Sequence, residues 1–335
     1  MERFFAAILE RDVERALSYV GRIGQGVPYG EAAAFLHPDA IADGWDVLEV
    51  GEADESPGGE TSVRVEIGDG QDREVGLMEL TDYGGEWNLV DPFVTVAITL
   101  SPFTYLQVND RVVTREPYLG DLPSSFVTEY KLLPGRYQFF GDLAGTDPGR
   151  ESTQLLLPRF RHGGSVPVAP PLLSPTPAME AALQQEINEL LDDCAEFAVP
   201  QPPGCPFATD LFLGYGDDGY VENIHDIEWT VVEYPVVRLV DVEGEDRRFG
   251  LSVEIEDPGL VQLSATAWDD DLDTEGIEMT DFTADCAVSG ERLYAWLGPD
   301  GTPQIVMLRG TPVGSGAVLP EPMTGTCEYE PEGGA

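Results

Sequence analysis

The stretch LDDCAEFAVPQPPGCPF, residues 191–207, sets two cysteines eleven positions apart, one closing a helical pattern and the other beyond a proline-rich turn. The chain's other two cysteines, Cys286 and Cys327, are forty-one positions apart, and this even set of four restricts the fold more than any other sequence feature. A tetrahedral zinc site shows close cysteine pairs or interleaved histidines, but His37, His162 and His225 lie elsewhere. There is no CxxC, which excludes a thioredoxin-type redox centre. Two disulfides, most simply Cys194–Cys205 and Cys286–Cys327, are expected, and they imply an oxidising compartment. Three pairings are open to four cysteines, and so is a set of buried free thiols. A loop as short as that closed by Cys194 and Cys205 contributes on the order of 2–3 kcal/mol by chain entropy.

Charge narrows the partners. The chain carries 62 acidic against 18 basic residues, a formal charge of −44, and its single lysine is Lys131. Phosphate backbones and anionic lipid surfaces need clustered Lys/Arg, so neither nucleic acid nor an anionic membrane surface is an expected partner. No run reaches the ~18 consecutive apolar residues of a membrane-spanning helix, and the N-terminus lacks the basic-then-apolar pattern of a signal peptide. With 335 residues, the chain is long enough for two or three domains.

ERFFAAILERDVERALSYV, residues 2–20, spaces Phe5, Leu9, Val13, Leu17 and Val20 three or four apart, predicting one amphipathic helix. A start so close to a helix is expected of a chain that follows a leader or membrane anchor. A second short helix is expected over Tyr29–Ala42. Strand patterns follow at 45–50, 61–67, 74–80 and 86–93, separated by the turn signals SPGG, GDGQD and DYGG. From 94 to 160 the segments are short and β-like, with an Asn-Asp turn at 109–110 and a tight turn at Pro134-Gly135. Six prolines in 158–177 read as an extended linker. MEAALQQEINELLDDC then sets Leu183, Ile187, Leu190, Leu191 and Cys194 on one helical face, and a further strand meander closes the chain, with a GPDG hairpin signal at 298–301.

The expected fold class is therefore α+β and multi-domain, with cone-like helix-plus-antiparallel-sheet domains flanking a small β-sandwich. The boundaries are 1–97 for the first cone, 98–160 for the sandwich, 161–177 for the linker and 178–335 for the disulfide-bearing helix and sheet.

The order of elements closed by WNLVDPF in residues 1–97 resembles the nuclear-transport-factor-two-like (cystatin-type) fold. That resemblance implies either a binding or spacer module or an enzyme with an acid or base at the base of a cone. VNDRVV and LLPGRYQF resemble PEGA-type domains, small surface β-sandwiches with largely structural roles. The whole arrangement resembles extracytoplasmic regions of actinobacterial membrane-anchored proteins and, more loosely, the TcaA-type teicoplanin-resistance-associated envelope proteins. Such proteins place a cytoplasmic segment and one transmembrane helix before their globular modules.

Few motifs carry chemistry. The glycines of GRIGQGVPYG (21–30) follow a helix rather than a strand, at the wrong spacing for a dinucleotide fingerprint. WDDDLDTEGIE offers Asp269, Asp271 and Asp273 at the alternation of a calcium loop, but Thr274 and Thr280 stand where an EF-hand needs Gly and Glu. A looser calcium site competes there with a solvated turn. GxSxG, HExxH and Ser-x-x-Lys are all absent. A catalytic cone would need a carboxylate tuned by an apolar pocket, for which Glu79, Asp91 and the aromatics Tyr29, Trp45 and Trp87 are the candidates, core and rim packing being their alternative role.

The expected function is a non-enzymatic binding or scaffolding module outside the cytoplasm, anchored by a segment beyond this chain and needing no cofactor. Its partner would be a cell-wall polymer, another envelope protein or a small ligand. A ligand-binding or catalytic cone in 1–97 and an acidic, halophilic-type cytosolic protein are the competing readings.

Overall fold

Helical periodicity runs unbroken from Glu2 to Val20, yet the helix stops after two turns. In the computed structural model, which describes residues 1–21, 27–55, 61–83, 85–99, 102–114, 127–141, 153–158, 164–209, 212–215, 219–241, 250–270, 278–290, 293–307 and 327–328, α1 (Glu2–Leu9) and α2 (Val13–Leu17) are separate. Arg11 takes a left-handed φ of 58° between them, and the Asp12 side chain caps α2 by accepting from the Arg15 amide at 3.0 Å. Phe4, Phe5, Ala7 and Ile8 are buried while Leu9 is exposed, so the apolar stripe turns with the break. The expected helix at 29–42 is instead two 3-10 turns, Gly30–Ala33 and Pro38–Ala40. Pro38 disfavours helical backbone at His37, which is extended and caps the second turn through its Nδ1.

The chain divides into two compact units, Met1–Glu116 with Pro123–Leu173, and Pro117–Leu122 with Ser174–Ala335. Both mix α and β, with strand predominating. No helix among the described residues is long and apolar enough to cross a membrane.

In the first unit, β1 (Asp46–Glu55), β2 (Thr61–Gly68), β3 (Arg73–Tyr83) and β4 (Glu86–Val90) form an antiparallel meander. Val63, Val65 and Ile67 alternate inward and meet α1 and α2 in one apolar core, with Met78, Leu89 and Trp45. The chain leaving α2 pairs with β4, the Leu89 amide donating to the Tyr19 carbonyl at 2.9 Å.

The next stretch belongs to the same unit. Strand β5 (Val94–Thr99) lies across the 97/98 boundary, and it pairs not with the meander but with β8 (Val127–Leu132) and β11 (Val166–Val168). Part of the proline-rich 161–177 stretch is thus a strand, and Pro167 is tolerated because β11 is at the sheet edge. Two smaller pairs complete the unit: the hairpin β6 (Tyr105–Val108) with β7 (Arg111–Thr114), and β9 (Gly135–Gln138) with β10 (Thr153–Leu156). Leu133 and Leu157 enter the same core as α1.

Asn109, in the hairpin turn at a φ of 51°, ties these pieces together. Its Nδ2 donates to the carbonyls of Ala40 at 2.7 Å and Arg136 at 3.2 Å, and its Oδ1 accepts from the Gln138 amide at 2.8 Å.

In the second unit, α3 (Pro177–Ala195) starts with Pro177 in its first turn and Thr176 as its cap. Met179, Leu183, Ile187, Leu191 and Cys194 form its buried face. Around it run β12 (Phe212–Tyr215), β13 (Gly219–Glu233), β14 (Val236–Val240), β15 (Leu251–Asp257), β16 (Leu260–Asp270), β17 (Glu278–Cys286), β18 (Leu293–Leu297), β19 (Pro303–Met307) and β20 (Cys327–Glu328).

These strands make two sheets, β12-β13-β16-β17-β20 and β14-β15-β18-β19, but the registers show one meander broken across its middle. Glu233 pairs with Leu260 just before the break, and Val236 with Asp257 just after it. β17 and β18 repeat the break, where the Val288 amide donates to the Pro258 carbonyl at 3.2 Å. α3 packs on β13 of one half and on β14 and β19 of the other, so the folded meander encloses its apolar face.

Gly259 makes the break possible. It has a φ of 63°, and a Cβ there would lie 2.5 Å from both the Glu233 oxygen and the Pro235 nitrogen, which are rigid backbone. Gly259→Ala should cost about 3 kcal/mol or more, from left-handed strain and the backbone clash together, seen as a lower urea midpoint at unchanged slope. Asn109→Asp keeps the acceptor and tolerates the turn but turns an oxygen toward two carbonyls. It should cost about 2–3 kcal/mol in the same measurement, whereas Asp110→Asn should stay within about 0.5 kcal/mol.

Candidate functional site

The five cone residues do not converge. Trp45 is in the core, its Nε1 donating to the Ala42 carbonyl at 3.0 Å, with its indole ring against the backbone of Gly135. Glu79 is half-buried, and strand alternation puts it on the face opposite the buried Met78. Trp87 and Tyr29 are 55% and 88% exposed. Asp91 follows β4 at a φ of 42°, exposed, with its Oδ1 3.8 Å from Lys131 Nζ. Phe4, Phe5, Ile8 and Val13, from α1 and α2, are buried in the same cluster as Trp45. Helix side chains against an alternating sheet face make a packed apolar core there.

The calcium candidates are divided. The backbone of Asp269 is in β16, opposite Glu278 and Val221, while Asp271 and Asp273 lie outside the described residues. Among the described residues no three His, Cys, Asp or Glu side chains gather as metal ligands. His225 is exposed on β13, and His162 lies outside the described residues.

The cysteine expectation takes a definite form. Disulfides join Cys194 to Cys205 and Cys286 to Cys327, leaving no free cysteine. The first pins the end of α3 to the segment that follows it. That segment is also fastened without sulfur: Phe207 packs on Trp229 with ring centroids 4.9 Å apart, and Trp229 Nε1 donates to the Val199 carbonyl at 3.0 Å. Farther along, the Thr209 amide donates to the Pro200 carbonyl at 2.9 Å, and Ser289 donates to the Pro206 carbonyl at 2.8 Å. The second disulfide joins residues directly opposite each other in β17 and β20.

Among the described residues, several of the arginines are engaged within the chain. Arg64 bridges Glu49 and Glu66 at 2.8 and 3.1 Å, Arg73 reaches Glu66 at 3.2 Å, Arg11 meets Asp43 at 2.9 Å, and Arg238 binds Glu254 with Glu256 beside it. Acidic residues outnumber basic ones 62 to 18 in the chain as a whole.

Two turns depend on ionised aspartates. Asp69 Oδ1 accepts from the Asp72 and Gln71 amides at 2.8 and 3.0 Å, and these bonds hold its carboxyl below the ordinary value. In the 298–301 turn the Asp300 carboxylate accepts from the Thr302 amide at 3.0 Å and is lowered for the same reason. A lowered folded-state pKa contributes stability that is fully present above the unfolded value of 3.8 and lost as pH falls through the folded one. Melting temperature should therefore drop on acidification below about pH 4, and Asp69→Asn with Asp300→Asn should reduce that drop.

No protein-family model, curated protein or solved structure matches the chain.

Proposed function

We propose that the chain is an extracytoplasmic, non-enzymatic binding or scaffolding module of a cell envelope, held at the membrane by a segment beyond residues 1–335. The observation that carries this reading is the engagement of all four cysteines in two disulfides, which is compatible with an extracytoplasmic location. Two further features support it. In the first unit α1 and α2 pack apolar side chains against the inner sheet face, as a scaffolding cone would. The surplus of carboxylates suits a cationic or neutral partner, either a cell-wall polymer or another envelope protein, and disfavours nucleic acid. In this reading the two units are a cone with a small β-sandwich and a second helix-and-sheet domain, serving as rigid spacers and contact surfaces.

The test is made on protein recovered from its native cells without reductant. The envelope fraction should contain the chain, and its denatured intact mass should be about 4 Da below that of the fully reduced form, two hydrogens per bridge. Four free thiols, or recovery in the cytosolic fraction, would overturn the proposal and favour an acidic cytosolic protein. Sedimentation with purified insoluble wall polymer, set against retention by solubilised envelope proteins, distinguishes the two partner classes.

A further inference from the structure

We propose that Cys327 is a thiol-exchange site, through which an external dithiol opens the Cys286–Cys327 bridge before Cys194–Cys205 and unlatches β20. This rests on the proposed function only in that both bridges must form. The four sulfur-bearing residues are not equally accessible. Cys194, Cys205 and Cys286 are 1%, 3% and 0% exposed, whereas Cys327 is only half-buried. Exchange requires a thiolate to approach one sulfur of the bridge, so access decides which bridge reacts first.

The two bridges also differ in what surrounds them. The Cys194–Cys205 segment keeps the Phe207–Trp229 packing and three backbone or indole hydrogen bonds when its sulfurs are ignored. Among the described residues β20 has two residues, and they pair with β17 as Asp285 with Glu328 and Cys286 with Cys327. Cys327 Sγ also lies 3.3 Å from the Ala208 carbonyl oxygen, and among the described residues the bridge is the covalent restraint added to these two ladder positions. On its other side, β17 pairs with β16 from Glu278 to Cys286, and that ladder does not depend on the sulfurs.

The chemistry balances without a metal. A reductant thiolate attacks Cys327 Sγ, the S–S bond breaks, and Cys286 leaves as a thiolate that takes up a proton. The reductant's second thiol then displaces Cys327 as a thiol and closes its own disulfide. Two electrons and two protons pass to the protein, and one dithiol is oxidised.

The full chain is titrated with dithiothreitol under native conditions, quenched with an alkylating reagent, and mapped cysteine by cysteine. Cys286 and Cys327 should be labelled at least about tenfold faster than Cys194 and Cys205. Equal or earlier labelling of Cys194 and Cys205 would overturn the proposal, as would no labelling of any cysteine until the protein unfolds. Four thiols reactive before reductant is added would instead remove the bridges themselves and the functional reading with them. Cys286→Ser with Cys327→Ser supplies a second measurement. Its amide exchange should quicken at 285–286 while 261–269 stay protected, and a general loss of protection would overturn the latch. Should that variant fail to fold, the labelling order in the unmodified chain decides.

Discussion

An antiparallel meander can enclose a helix only if its strands bend together, and in the second unit the bend depends on one atom that is missing. Gly259 brings the ribbon of β15 and β16 so near Glu233 and Pro235 that no side chain fits, letting two neighbouring ribbons turn at the same level. The registers on either side of the break then remain continuous, and α3 buries its apolar face against both halves. Burial of five side chains of this kind supplies on the order of 10 kcal/mol of transfer free energy, so the bend converts local backbone geometry into apolar contact.

The first unit solves the same problem with polar stitches. Its meander core is completed by Leu133 and Leu157, which lie far along the chain, and Asn109 fixes the intervening hairpin against Ala40 and Arg136. A half-buried amide with both donors and its acceptor engaged resists displacement, because each lost partner leaves a polar group unsatisfied. Such restraints matter in a chain of charge −44, whose surface carboxylates repel one another and favour expansion.

What the sequence disclosed depended on the range of the interaction. The alternation of Val63, Val65 and Ile67, the α3 stripe, the Asn-Asp turn and the 298–301 hairpin are local patterns, and each is present in the structure. The simplest cysteine pairing also holds. The α1–α2 break was missed because Asp12 fits a helix's apolar rhythm as easily as it fits a cap. Strand β11 was hidden because Pro167 argues against a strand unless the sheet edge is known. The placement of Trp87 and Glu79 was not legible, since nothing local says whether they face the helices or the opposite side. Asn109 was visible as a turn residue, but its partners 69 and 27 positions away were not.

Gln184 on α3 has a consequence of another kind. Its Nε2 donates to the carbonyl of Pro235, just before β14, at 2.8 Å, and its Oε1 accepts at 3.2 Å from the amide of Val237 on β14, the outermost strand of its sheet. A side-chain amide there imitates the peptide group of a neighbouring strand. At those two positions the helix occupies the valences through which β14 would otherwise recruit a further chain, so the element that fills the core also guards this rim against polymerisation.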